Sequence, residues 1–81
     1  MPYIKTERRI DIHTSRDIEN PGELNYYLTK VCLAYFEKFG KSYTTLNAII
    51  GVLECVKQEF YRREVIPYEN GKLKENGDVY T

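Results

Sequence analysis

Two uninterrupted apolar runs constrain this chain more than any other feature: Val31-Cys32-Leu33-Ala34-Tyr35-Phe36 and Ile49-Ile50-Gly51-Val52-Leu53. Each lies inside a segment patterned as a helix, so each helix is apolar around most of its circumference there. Such a helix must be covered on every side. A chain of 81 residues folds alone only marginally and usually needs a staple, a metal or a partner subunit. The sequence therefore points to self-association, as a dimer or a dimer of dimers.

The alternatives to a partner are weak. Cys32 and Cys55 fall inside the apolar helices with no Cys or His at ligand spacing. They read as buried free thiols that behave as small hydrophobes. No secretory or membrane-length apolar segment is present, so the expected location is the cytoplasm, or the host cytoplasm for a phage-encoded chain. Twelve basic residues balance twelve acidic ones, and residues 1–20, 21–60 and 61–81 each hold four of either sign. Nucleic-acid binders carry a basic stripe, because neutralising phosphates supplies much of their affinity. The local balance argues against one here.

Read in order, the chain predicts a single all-α domain. Residues 1–19 form an N-terminal arm or a short helix; the pattern fits both. Asn20-Pro21-Gly22-Glu23 then supplies an N-cap, a proline at the first helical position and a glutamate three residues after the cap. Leu24, Tyr27, Leu28, Val31, Tyr35 and Phe39 mark one helical face, and Gly40 closes the helix. A second helix follows, capped by Ser42 or Thr44, with Leu46, Ile49, Ile50, Leu53, Val56 and Phe60 as its stripe. Pro67 should stop it near Glu64. The expectation is an antiparallel hairpin of helices at about 21–39 and 44–64, assembling into a helical-bundle oligomer. Residues 65–81 contain the turn signals Asn70-Gly71 and Asn76-Gly77. They read as an ordered, irregular tail, anchored by Ile66, Tyr68, Leu73, Val79 and Tyr80 over its own helices or a neighbouring subunit.

Candidate binding residues interrupt the apolar faces. Gly51 lies inside a helix, where glycine costs about 1 kcal/mol relative to alanine. With Ala48, Val52 and Cys55 it forms a strip of small residues, suited to close helix packing or to leaving room for a ligand. Asn47, Glu54, Gln58, Tyr61 and Arg62 form a polar row beside it. Asn25, Tyr26 and Thr29 form a shorter one on the first helix. Asn and Thr compete with the helical backbone for hydrogen bonds and are poor choices for a purely solvated face. Lys57, Arg62 and Arg63 complement the C-terminal end of the helix dipole; equally, the arginines fit a phosphate or carboxylate. The eight tyrosines provide flat surfaces with hydrogen-bonding ends, and Tyr26, Tyr61 and Tyr68 are placed to stack on a base. No phosphate loop, dinucleotide fingerprint or zinc spacing appears. His13 has no fixed catalytic partner, and a Glu54/Lys57 pair reads as structural. No enzyme, cofactor or metal is expected.

The segments Gly22-Glu23-Leu24-Asn25-Tyr26, Ile50-Gly51-Val52-Leu53-Glu54-Cys55-Val56-Lys57, Glu59-Phe60-Tyr61-Arg62-Arg63, Pro67-Tyr68-Glu69 and Glu75-Asn76-Gly77-Asp78-Val79-Tyr80 resemble a family of short prokaryotic and bacteriophage proteins. The resemblance covers about residues 20–80 and carries no activity with it. It implies that polar residues and the C-terminal segment belong to the family pattern, and it implies a phage origin. By analogy of size and architecture, small oligomeric phage proteins include sponges that sequester nucleotide immune signals. The leading expectation is such a sponge, with Asn25, Tyr26, Thr29, Asn47, Gly51, Glu54, Lys57, Tyr61, Arg62, Arg63 and Tyr68 lining interface pockets for an anionic nucleotide-derived ligand. The alternative is a small inhibitor or adaptor that docks on a host protein. A transcriptional regulator fits less well, since neither helix carries a basic recognition face.

Overall fold

The computed structural model describes residues 4–80, all of whose regular structure is helical. The order is α1 (Thr6–Asp11), a 3-10 turn (Ser15–Asp17), α2 (Pro21–Phe39), α3 (Tyr43–Phe60), a π-helical turn (Tyr61–Val65) and α4 (Ile66–Asn76). The chain divides into two units, the first ending at Ile49 and the second beginning at Ile50.

In the first unit the N-terminal segment takes the helical option. Helix α1 and the 3-10 turn are set by local bonds. The Thr14 hydroxyl accepts from the Arg16 amide at 3.3 Å, while the Asp17 carboxylate accepts from the His13 and Thr14 amides at 2.8 and 2.9 Å. Helix α2 starts and ends where its caps dictate. The Asn20 side chain accepts from the Glu23 amide at 2.9 Å, Pro21 opens the first turn, and Gly40 leaves it at φ 84°. Ser42 is the cap of α3, its hydroxyl accepting from the Thr45 amide at 3.2 Å.

Within the first unit α2 and the opening turns of α3 do not pack along one another. Their connection is only Gly40 to Ser42, with Gly40 at φ 84° and ψ 166°. The stripe residues of each helix are exposed: Leu24, Leu28, Val31, Tyr35 and Phe39 on α2, and Leu46, Ile50, Leu53, Val56 and Phe60 on α3. Among the described residues Ile12 is the only buried apolar one. The two thiols are likewise not buried as expected, since Cys32 is half-buried and Cys55 exposed.

The second unit overturns the irregular tail. The helix does not stop before Pro67 but passes into the π-helical turn and continues to Asn76. Proline has no amide hydrogen to donate and its ring crowds the preceding turn of an α-helix. Widening that turn relieves both conflicts: the Ile66 amide reaches back five residues to the Tyr61 carbonyl. Pro67 then stands in the first turn of α4, where its missing donor matters least. Asn70-Gly71, read as a turn, lies within α4, whereas Gly77 at φ 86° does end it. Local pairs support the segment. Lys72 contacts Glu75 at 3.5 Å and lies 5.7 Å from the centroid of the Tyr68 ring. The anchor residues Ile66, Tyr68, Leu73, Val79 and Tyr80 are all exposed.

Candidate functional site

The eleven candidates divide between the two units. Asn25, Tyr26, Thr29 and Asn47 belong to the first, and Gly51, Glu54, Lys57, Tyr61, Arg62, Arg63 and Tyr68 to the second. In the first, Asn25 and Thr29 are joined directly. The Thr29 hydroxyl lies 2.8 Å from the Asn25 backbone carbonyl and 3.3 Å from its side-chain oxygen. This is the back-bonding that lets Thr sit inside a helix. One face of the Tyr26 ring is already covered, by the Arg9 guanidinium at 5.7 Å. Asn47 is exposed on α3.

In the second unit the polar residues come as neighbours along one helical path. Glu54 accepts from Gln58 at 3.1 Å and pairs with Lys57 at 3.8 Å. Glu59 holds both arginines, Arg62 in a close ion pair and Arg63 at 3.5 Å. The Tyr61 hydroxyl is 3.4 Å from the Glu69 carboxylate, a pair that spans the π-helical turn. From residue 54 to 64, Lys57, Arg62 and Arg63 are matched by Glu54, Glu59 and Glu64. The cations are therefore neutralised by their own helix. The arginine side chains are nonetheless 68% and 71% exposed, and exposed pairs of this kind contribute only about 0–1 kcal/mol each. An incoming anion meets little resistance in displacing Glu59. Gly51 is exposed, and a Cβ built on it meets nothing within 4 Å.

One cluster was not anticipated as a unit. Arg8 of α1 donates from Nε to Glu23 Oε2 at 2.7 Å and from Nη2 to Glu23 Oε1 at 2.9 Å. Arg8 also donates to the Asp17 carbonyl and lies 3.4 Å from Glu19. Glu23, 4% exposed, takes a further bond from the Glu19 amide at 3.0 Å. The Arg8 hydrogen bond, helped by the Glu19 amide, holds the Glu23 carboxyl below its ordinary pKa, and the same pair raises that of Arg8. The amides of His13 and Thr14 lower that of Asp17. The spacing of Asn20 and Glu23 indicated a capping box, but Glu23 turns to Arg8 instead of back to Asn20. This cluster fastens α1 and the 3-10 turn to the start of α2.

Among the described residues no group of three or more His, Cys, Asp or Glu is arranged to hold a metal. No helix among them is long and apolar enough to cross a membrane. A family model described as Domain of unknown function (DUF6899) matches residues 1–79. The chain belongs to this family. No curated protein and no solved structure matches it. The DUF6899 match spans the Arg8 segment, the Glu59 arginine pair and the helix through Pro67.

Proposed function

We propose that this DUF6899 chain is a non-catalytic, self-associating binding protein that takes an anionic nucleotide-derived ligand, in the manner of a phage sponge for an immune signal. The observation that carries the reading is the pair of exposed guanidinium groups, Arg62 and Arg63, gathered on Glu59 and next in sequence to the exposed Tyr61. Two arginines on one displaceable carboxylate suit a phosphate, whose oxygens accept bidentate bonds. The adjacent phenol ring offers a stacking surface for a base. Asn25, Tyr26, Thr29, Asn47, Gly51, Glu54, Lys57 and Tyr68 would complete such a site across subunits. These groups grip a ligand and release it unchanged.

Calorimetry with a panel of cyclic dinucleotides and cyclic ADP-ribose isomers tests the reading. The expected result is binding, with intact ligand recovered by mass spectrometry after heat denaturation. Silence across the panel defeats it.

A second reading has its own support. Tyr and Arg are over-represented among the residues that dominate protein interfaces, and here Tyr61, Arg62, Arg63 and Tyr68 are exposed together in one unit. An adaptor or inhibitor would use the same residues against a host protein. Stoichiometric capture of one such protein, with no small molecule released on heating, favours this alternative.

A further inference from the structure

The tripeptide Glu-Asn-Gly occurs twice in the second unit, as Glu69-Asn70-Gly71 and Glu75-Asn76-Gly77, and the fold holds the two copies differently. In an Asn-Gly pair the glycine amide nitrogen can attack the asparagine side-chain carbonyl carbon, because the glycine has no Cβ to hinder the approach. The attack requires ψ of the asparagine to leave the helical range, so that its Cγ meets the next nitrogen. Asn70-Gly71 lies inside α4, which runs from Ile66 to Asn76. Turning ψ there breaks the helical bonds of the Gly71, Lys72 and Leu73 amides and swings the rest of α4 away. Asn76 is the last residue of α4, and Gly77 already stands outside it at φ 86° and ψ 159°. Turning ψ here releases the cap bond from the Gly77 amide to the Leu73 carbonyl, 2.9 Å long, and leaves the preceding helix in place.

Access does not separate the two copies. Both asparagines are exposed, and a Cβ built on Gly71 or on Gly77 meets nothing within 4 Å. Solvent base and water reach either peptide. Backbone freedom is what differs: a helix end opens at almost no cost in free energy, whereas an internal turn opens far less often. Asn76 therefore visits the reactive geometry much more than Asn70 does, although the same residues stand before and after each.

We propose that Asn76 is a site of self-modification, where the chain deamidates through a cyclic imide while α4 protects Asn70. The Gly77 nitrogen loses its proton to solvent base and bonds to Asn76 Cγ. The Cγ–Nδ2 bond breaks, and the side-chain nitrogen leaves as ammonia. Water then opens the imide at either carbonyl, giving aspartate or isoaspartate at position 76, with nothing oxidised or reduced. The product adds a negative charge to a chain that is formally neutral at pH 7. That charge falls at the C-terminal end of α4, next to Glu75, where the helix dipole disfavours an anion. The last turn of α4 is loosened as a result. The reaction needs neither ligand nor partner, so it is independent of the proposed function.

Incubation of the full chain at mildly alkaline pH, followed by isoelectric focusing and peptide mass mapping, tests the proposal. The expected result is an acidic form in which Asn76 has become a mixture of aspartate and isoaspartate, at a rate roughly tenfold or more above that of Asn70. In concentrated urea the two sites should react at similar rates, since only the folded backbone distinguishes them. Asn76→Gln should remove the acidic form, because the longer side chain closes a larger and slower-forming ring. Equal rates in the folded chain overturn the proposal, as does a folded chain that stays unmodified while the urea-treated chain reacts. Aspartate without isoaspartate overturns the imide route. A preference for Asn76 that survives in urea overturns the protective role of α4. The wild-type chain decides all of these outcomes, so nothing rests on how the variant folds.

Discussion

The Arg8 guanidinium grips both carboxylate oxygens of Glu23, at 2.7 and 2.9 Å, and so ties α1 to the first turn of α2. The pair gives the N-terminal segment a definite dependence on pH. The Glu23 and Asp17 carboxyls are both held below their ordinary values. Unfolded carboxyls of these types titrate at about 4. Their contribution is therefore fully present above that pH and is lost as pH falls through the depressed folded values. Arg8 stays protonated throughout, so nothing compensates. Amide protection across residues 5–20, the exchange rate relative to that of the unfolded chain at the same pH, should be high at neutral pH and fall in acid before that of α2 does. Glu23→Gln should produce the same local loosening at pH 7, and an unchanged exchange pattern would remove the clip from the account.

Pro67 sets the π-helical turn. Pro67→Ala restores an amide donor and removes the ring, so the turn should tighten to ordinary α-helix. Far-UV circular dichroism should show more helix, and stability should rise by at most about 3 kcal/mol, the usual penalty of an interior proline. Because the tightening rotates α4 relative to Tyr61, the Tyr61–Glu69 bond should be lost. A spectrum and melting curve identical to wild type would show that another residue imposes the turn.

Gly51 separates the properties of one chain from those of the assembly. Within the chain, a Cβ at this position meets nothing within 4 Å. Gly51→Ala should therefore raise helix stability by about 1 kcal/mol. If the strip of Ala48, Gly51, Val52 and Cys55 lies against a partner backbone, as the proposed function has it, the same methyl group should weaken self-association. Sedimentation and helicity are expected to move in opposite directions, and a gain in both would take the strip out of the interface.

On the proposed function, Glu59 competes with the ligand for Arg62 and Arg63. Glu59→Gln leaves Arg62 and Arg63 without their shared carboxylate, so a nucleotide ligand should bind more tightly, by a few-fold at low salt. Arg62→Ala should do the opposite. A hydrogen bond to a charged group contributes about 1.5–3 kcal/mol, which corresponds to roughly 10- to 100-fold in affinity. Calorimetry on both variants checks the pair of signs, and equal effects in the same direction would argue against phosphate at this place.

The helix ends were legible because their causes lie within four residues. Asn20 with Pro21 starts α2, Gly40 ends it and Ser42 caps α3, each through bonds that neighbours in sequence make. Pro67 misled for the same reason. As a local signal it means a stop, and the wider turn that accommodates it depends on bonds to residues as far back as Tyr61. Among the candidate residues, Lys57, Arg62 and Arg63 were identifiable by charge and position. Their neutralisation by Glu54 and Glu59 follows from the same three- and four-residue spacing and was available to be read.

What the sequence by itself determined is the span of α2, the start of α3 and the apolar runs that demand cover. Only the tertiary structure decided that Glu23 turns away from its cap to meet Arg8, fifteen positions earlier. It also decided that the helix widens after Phe60 and runs on through Pro67 to Asn76. The physical reason is one of range. Hydrogen bonds between near neighbours form with almost no loss of chain entropy, so residue identity alone predicts them. Pairings between distant residues depend on where the connecting chain leads and on which surfaces it leaves open.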